Sequence, residues 1–360
     1  MNIIIFFIIL LVLVLVHEFG HFFSAKRFGI RVDEFGFGFP PKLFGKKYGE
    51  TEYSLNLFPV GGFVKIFGEN PDEENISGPD AGRSFVNKPK WQQIIVLFSG
   101  IFANFLFAWL LFSISFMSGL PTSVGNEPEG YSVTGANLVV VSVLPGSPAE
   151  IAGLKTGDKI VSVYSADGSL EKVNTETFKS FIVSHPNKEI SVAYLRGKSN
   201  TMNVVKATPL ASGIGIAMDE IGILKLPFFK ALEEGLSLDW SVTKDTVSGI
   251  YNLIVRAIEG KGSLSSVTGP VGMIAIVGNA FQFGFVYLLS FTALISVNLA
   301  VINLVPFPAL DGGRILFVLI EKIKGSSMNP KVANAVNTVG FALLIILMLL
   351  ITYHDVVRLF

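Results

Sequence analysis

The 360-residue chain has no cysteine, which excludes a disulfide framework, a cysteine-ligated zinc module and a thiol nucleophile. Charge is also scarce. Asp, Glu, Lys and Arg make up 16% of the residues against 50% hydrophobic side chains, and the mean hydropathy is +0.57. That balance is too apolar for an ordinary soluble enzyme and suits a chain dissolved in a bilayer. Neither sign of charge is in surplus, with 28 basic residues against 28 acidic ones. The basic excess that drives nucleic-acid binding is therefore missing, and no nucleic-acid partner is expected. With thiols absent, any metal site must be built from His, Asp, Glu or Asn, and there are only four histidines.

The charges are unevenly placed. Stretches 1–17, 91–126, 262–310 and 332–354 contain none, and each is long enough to hold a span of about 20 residues. We expect four transmembrane helices: one over 1–28, one over 91–119, one within 262–313 and one over 332–354. A cleaved signal peptide is the alternative for the first, but it has neither a basic n-region nor a small-residue cleavage site. Positive charge near span ends marks the cytoplasmic side. Lys26, Arg27, Arg31, Lys42, Lys46 and Lys47 follow the first span, Lys88 and Lys90 precede the second, and Arg314, Lys322, Lys324 and Lys331 separate the last two. Both loops are expected in the cytoplasm, with 120–260 on the outer face.

Segment 120–225 is polar, with turn signals at Pro145-Gly146, Asp167-Gly168 and Arg196-Gly197. Alternation over Leu138–Leu144 and Ile190–Leu195 predicts strands, and Thr175–Val183 a short helix, so an inserted extracytoplasmic α+β domain is expected. Residues 226–260 read as an amphipathic helix on or near the membrane. Between the first two spans, 29–90 reads as a cytoplasmic or re-entrant β region. Tyr53, Leu55 and Leu57 alternate with Ser54, Asn56 and Phe58; Pro59-Val-Gly-Gly62 then reads as a turn into Phe63-Val-Lys-Ile66-Phe67, a hairpin of amphipathic strands.

The chemistry is concentrated in His17-Glu18-Phe19-Gly20-His21. The i, i+4 spacing puts both imidazoles on one helical face, able to share a zinc ion, with Glu18 one residue round and placed to act on its water. An ionisable group inside an apolar span is costly and reads as functional by default. Catalytic zinc usually takes three protein ligands. His185 and His354 are poorly placed for the third; Asp311 is the first charge after Lys261 and follows directly on the third span. Its context, Asn303-Leu-Val-Pro-Phe-Pro-Ala-Leu-Asp311-Gly-Gly, combines helix-breaking prolines with permissive glycines. The bland alternative for Asp311 is a helix N-cap.

These residues resemble the site-2 protease class of intramembrane zinc metalloproteases, and within it the bacterial RseP type that cleaves anti-sigma factors. HEFGH matches the family's HExxH, and NLVPFPALDGG its Asn-Pro-x-Leu-Asp-Gly element, which implies Asp311 as third ligand. VGGFVKIFGE at 60–69, GFGFP at 36–40 and TGPVG at 268–272 are similar to its further signatures. Ser99-Gly-Ile-Phe-Ala-Asn104 is similar to its span-two Ala-Gly-Pro-x-x-Asn pattern, with Ile101 in place of the proline.

The resemblance implies zinc-assisted amide hydrolysis with Glu18 as general base, in a bacterial cytoplasmic (inner) membrane, with the active site near its cytoplasmic side. It makes Asn298 and Asn303 candidates for holding unwound substrate; the alternative is that they bond neighbouring helices. A protease acting in the membrane must bind its substrate extended, so the hairpin with Asn56, and a second β element carrying Gly36 and Gly38 and dipping toward the metal, could receive it by strand addition. A merely structural hairpin is the alternative. Ser147–Val163 resembles a PDZ pattern, with the chain having one such domain and its groove at Gly213, Ile214, Gly215 and Ile216. The expected partners are single-span membrane proteins, such as anti-sigma-like proteins or signal-peptide remnants, an upstream site-1 protease acting on the same substrate, and membrane lipid. A catalytically silent PDZ-bearing scaffold and an ion transporter are the competing classes.

Overall fold

The computed structural model describes residues 2–70, 76–197, 201–211, 213–261, 269–326 and 328–357. The chain divides into two compact units. The first comprises Met1–Phe112, Gly235–Asn279 and Leu289–Phe360; the second comprises Ser113–Glu234 and Ala280–Leu288.

Four helices among the described residues are long and apolar enough to cross a membrane: α1 (Asn2–Arg27), α2 (Lys90–Ser118), α7 (Phe285–Leu304) and α9 (Pro330–Val357). Helix α1 ends in a Schellman-type cap. Gly29 adopts φ +66°, its N–H donates to the Lys26 carbonyl, and Ile30 N–H reaches back to Ala25 O at 2.9 Å. The expectation of one helix within 262–313 needs correction. Two helices lie there, α6 (Pro270–Phe283) and α7, broken at Gly284, whose φ of +123° no helix accommodates. Charge counting cannot see a break that carries no charge. Asp355 of α9 accepts from Gly269 N and Gly272 N, at 3.2 and 2.8 Å, and so satisfies donors at the start of α6. Thr268 of the TGPVG signature lies outside the described residues.

The β region consists of β1 (Val32–Tyr48) and β2 (Thr51–Ile66), each bent midway. Phe35, Gly36 and Phe37 are paired on both sides: with Val64, Phe63 and Gly62 on one, and with Tyr53, Ser54 and Leu55 on the other. The far half of β1 closes the other edge through Phe44–Leu55 and Gly45–Ser54. This corrects the expected hairpin. Residues 51–56 and 62–66 are not neighbours, because 34–37 inserts between them. Gly36 permits the insertion: a Cβ there would lie 2.4 Å from the Phe63 ring. Stretch 62–66 is left with one edge free of strand partners among the described residues. A core of Ala25, Ile30, Val32, Phe35, Val64, Val96, Leu97 and Val318 ties this sheet to α1, α2 and α8 (Asp311–Lys324).

Helix α5 (Phe228–Ile258) has a protein partner for part of its apolar surface. Leu238, Val242 and Ile250 pack against Ala108, Phe112, Ala293, Val297 and Val301 of α2 and α7.

The second unit holds a sheet in the order β3–β9–β4–β5–β7–β8, with β6 beside β5. The strands are β3 (Leu120–Ser123), β4 (Thr134–Val143), β5 (Lys159–Ser165), β6 (Gly168–Leu170), β7 (Ile190–Leu195), β8 (Met202–Ala207) and β9 (Ile216–Leu224). Helix α3 (Pro148–Ile151) starts on a Ser147 cap. Helix α4 (Thr175–Ser184) starts on a reciprocal capping box, in which Asn174 Oδ1 accepts from Thr177 N at 2.7 Å and Thr177 Oγ1 accepts from Asn174 N at 2.9 Å. Phe178 of α4 is fully buried against Val140, Val163, Ile190 and Val192.

Candidate metal centre

Small residues set how closely α1 and α2 approach. A Cβ on Gly20 would lie 2.2 Å from Ser99 O, and one on Gly100 would lie 2.4 Å from His21 Nε2. Ser99 Oγ donates to Gly20 O at 2.8 Å and lies 2.6 Å from Ser24 Oγ, closing the seam with hydrogen bonds. This contact puts the backbone of α2 beside the histidines. His21 Nδ1–H donates to Val96 O at 2.8 Å, and Asn104, itself fully buried, brings its side-chain amide to 3.4 Å from His17 Nδ1.

Asp311 arrives from the other direction. After α7 the backbone folds back on itself in 305–310, with Ala309 at φ +74° and its N–H on Asn337 Oδ1 at 3.3 Å. Gly312 and Gly313 press against the loop so closely that Cβ atoms would lie 2.3 Å from Leu304 O and 2.2 Å from Phe307 O. Asp311 is the first residue of α8 and not its cap; Leu310 holds that position.

The three side chains converge. Asp311 Oδ2 lies 3.0 Å from His17 Nε2 and 3.3 Å from His21 Nε2, and the two Nε2 atoms are 3.2 Å apart. Donors held 2.0–2.1 Å from a tetrahedral zinc are separated by about 3.3 Å, so the triangle has the size such an ion requires. Asp311 Oδ2 is buried, and among the described residues these rings alone can donate to it. The donor set of two imidazoles and one carboxylate therefore fits a zinc ion. Glu18 lies beside the triad, with Oε2 accepting from Val64 N at 3.0 Å. That N–H belongs to the free edge of stretch 62–66. The residues surround a cavity of about 210 Å³ that Phe63 and Glu69 also line, and Glu69 is ion-paired with Arg314 of α8.

The other expected residues are used differently. Asn56 is buried inside the sheet and donates to Gly38 O at 3.1 Å; Gly36 and Gly38 are the close-packed positions of the same sheet. Of the three, Gly36 pairs directly with stretch 62–66, through Phe63, and none lines the cavity at the triad. Asn298 accepts from Thr246 Oγ1 at 2.8 Å, pairing α7 with α5, and Asn303 is half-buried near the end of α7; neither lines the cavity at the triad. In the second unit, Ile214 is a core residue, Gly215 takes φ +80° where its Cβ would meet Ser147, and Gly213 bridges to Leu210. Ile216 opens β9 beside a separate cavity of about 640 Å³ walled by Phe178, Lys179 and Ile182 of α4. Sequence reading passed over Val64, Glu69, Arg314 and a site role for Asn104. Their only signal was membership of, or adjacency to, the FVKIFGE, LDGG and Ser-Gly-x-x-x-Asn elements.

The pattern of peptidase family M50 matches residues 5–347 of this chain. The chain belongs to peptidase family M50. A Clostridium perfringens protein, provisionally named a zinc metalloprotease, is 36% identical over 96% of this chain and 95% of its own length. The zinc metalloprotease RasP of Geobacillus kaustophilus is 28% identical over 100% and 98%, and the regulator of sigma-E protease RseP of Escherichia coli is 29% identical over 98% of each. These M50 relatives align across both compact units, so the likeness extends beyond the HExxH helix.

Proposed function

We propose that this M50 peptidase is an intramembrane zinc metalloendopeptidase that cleaves single-span membrane proteins. The observation that carries this reading is the triangle of His17, His21 and Asp311 donor atoms, sized for zinc and built partly on a membrane-spanning helix. A bound zinc ion supplies the Lewis acidity for water activation and carbonyl polarisation. Glu18 takes a proton from the attacking water and delivers it to the leaving amine nitrogen as the amide C–N bond breaks. No acyl-enzyme is formed.

A helical peptide bond is shielded by its own hydrogen bonds, so the substrate must be extended at the site. The free edge of 62–66 supports strand addition, because it lies next to Glu18 and has no strand partner among the described residues. Asn298 and Asn303 remain in the proposal as second contacts to unwound substrate. The cavity between β9 and α4 supports a single PDZ-like domain with its groove at 213–216. The basic loops support a cytoplasmic placement for 26–90 and 305–331 in a bacterial inner membrane, with 120–225 outside. Substrates of anti-sigma or signal-peptide-remnant type, first shortened by a site-1 protease, fit this arrangement.

The test is Glu18→Gln in the native membrane. We expect cleavage of a single-span substrate to fall by about 10²–10⁴-fold with zinc retained, and uncleaved substrate to accumulate on the variant. Wild-type turnover by Glu18→Gln would show that the base has been misassigned.

A further inference from the structure

We infer that Asn104 is a positioning residue for His17, with its amide oxygen facing the imidazole and accepting a hydrogen bond from Nδ1–H. This rests on the zinc reading above and adds a residue to it. The oxygen and nitrogen of an amide occupy the same space when the group turns through 180°, so the hydrogen-bond network decides between the two orientations.

With the nitrogen toward the ring, Asn104 Nδ2 sits 3.4 Å from His17 Nδ1 and Oδ1 is left buried without a partner among the described residues. A buried acceptor left without a donor is destabilising. The same orientation makes Nδ1 an acceptor and puts the ring proton on Nε2, the atom aimed at Asp311 and His21. With the oxygen toward the ring, Oδ1 gains its donor and Nε2 keeps a lone pair for a cation. His17 then matches His21, whose Nδ1–H is already committed to Val96 O at 2.8 Å. A metal-binding histidine is commonly fixed this way, by a partner on its other nitrogen. The backbone holds Asn104 in place, since its carbonyl accepts from Ser296 Oγ of α7 at 2.8 Å.

The experiment uses the full chain in detergent and compares wild type, Asn104→Asp and Asn104→Leu. Zinc affinity is measured by chelator competition, and the ligand field by the absorption spectrum of the cobalt-substituted protein. A carboxylate accepts but does not donate. Asn104→Asp should therefore bind zinc about as tightly as wild type and keep its cobalt spectrum, while Asn104→Leu should lose about 10- to 100-fold in affinity. Loss in Asn104→Asp would mean that the amide donates, and undiminished affinity in a folded Asn104→Leu would mean that His17 needs no such partner; either result overturns the inference. Should Asn104→Leu fail to fold, the aspartate arm still decides. A wild-type chain that binds no zinc is a different result, and it removes the metalloprotease reading itself.

Discussion

Two carboxylates, one in each unit, are held in opposite ways. Asp158 in the β-rich unit is fully buried and receives both Nε and Nη2 of Arg196, each at 2.7 Å, plus the Lys155 N–H at 2.8 Å. Its counter-ion is part of the chain, and Arg196 also covers the Tyr194 ring. Asp311 in the helical unit receives two imidazoles, which can be neutral, and no guanidinium. Arg314, only one turn along α8, is turned to Glu69 instead. The first carboxylate is neutralised for stability. The second is left without a permanent counter-charge, as the proposed metal ligand requires.

The largest effects should separate those two uses. Asp311→Asn should reduce zinc from one per chain to near zero and abolish cleavage while leaving the fold in place, because the removed charge had no permanent partner. Arg196→Met should do the reverse. It leaves Asp158 buried and uncompensated, at a cost of about 3 kcal/mol, toward the low end for such a pair because the guanidinium is half exposed. Its zinc content should be unchanged. Metal analysis together with chemical unfolding monitored in the second unit checks both, and the comparison fails if Asp311→Asn unfolds the protein or Arg196→Met loses zinc.

An intermediate effect is expected at the α1–α2 seam. Gly20→Ala places a methyl 2.2 Å from a backbone oxygen that cannot rotate away. Overpacking of this kind costs about 1–3 kcal/mol, roughly a 5- to 150-fold loss of zinc affinity if expressed wholly at the site. Zinc competition would read it, and an affinity equal to wild type would show that the seam does not set the ligand positions.

Some of this was legible in the sequence and some was not. His17, Glu18 and His21 fall within one helical turn, so local spacing is enough to assemble them. Asp311 stood out because the 49 residues before it, 262–310, carry no charge. The helix pattern of α4 and the alternation of β7 were equally local. What escaped depends on pairing between distant segments. Nothing in the alternation of 51–67 announces that 34–37 will separate its halves, and nothing near Val64 shows that its N–H will meet Glu18. The break at Gly284 hid in a stretch that carries no charge. Asn298 illustrates the same limit: an Asn on a span is compatible with a substrate contact or a helix contact, and nothing near it in sequence announces that Thr246 will donate to it.

The smallest effect concerns a third carboxylate, Asp239, which has neither kind of partner. It is buried on α5, one oxygen has no hydrogen-bond donor among the described residues, and burial pushes its carboxyl up to about 7. The sign follows from proton linkage. Because the folded state binds the Asp239 proton more tightly than the unfolded chain, its contribution is fully present below the ordinary carboxylate range near 3.8 and is lost as pH rises through about 7. Asp239→Asn removes the charge and keeps the shape. The thermal midpoint of wild type should therefore fall relative to that of the variant between about pH 4 and pH 8, by a few degrees at most in a chain of this size. Parallel midpoints across that range would mean that Asp239 is already paired in the folded protein, and the contrast would reduce to the two carboxylates that have partners.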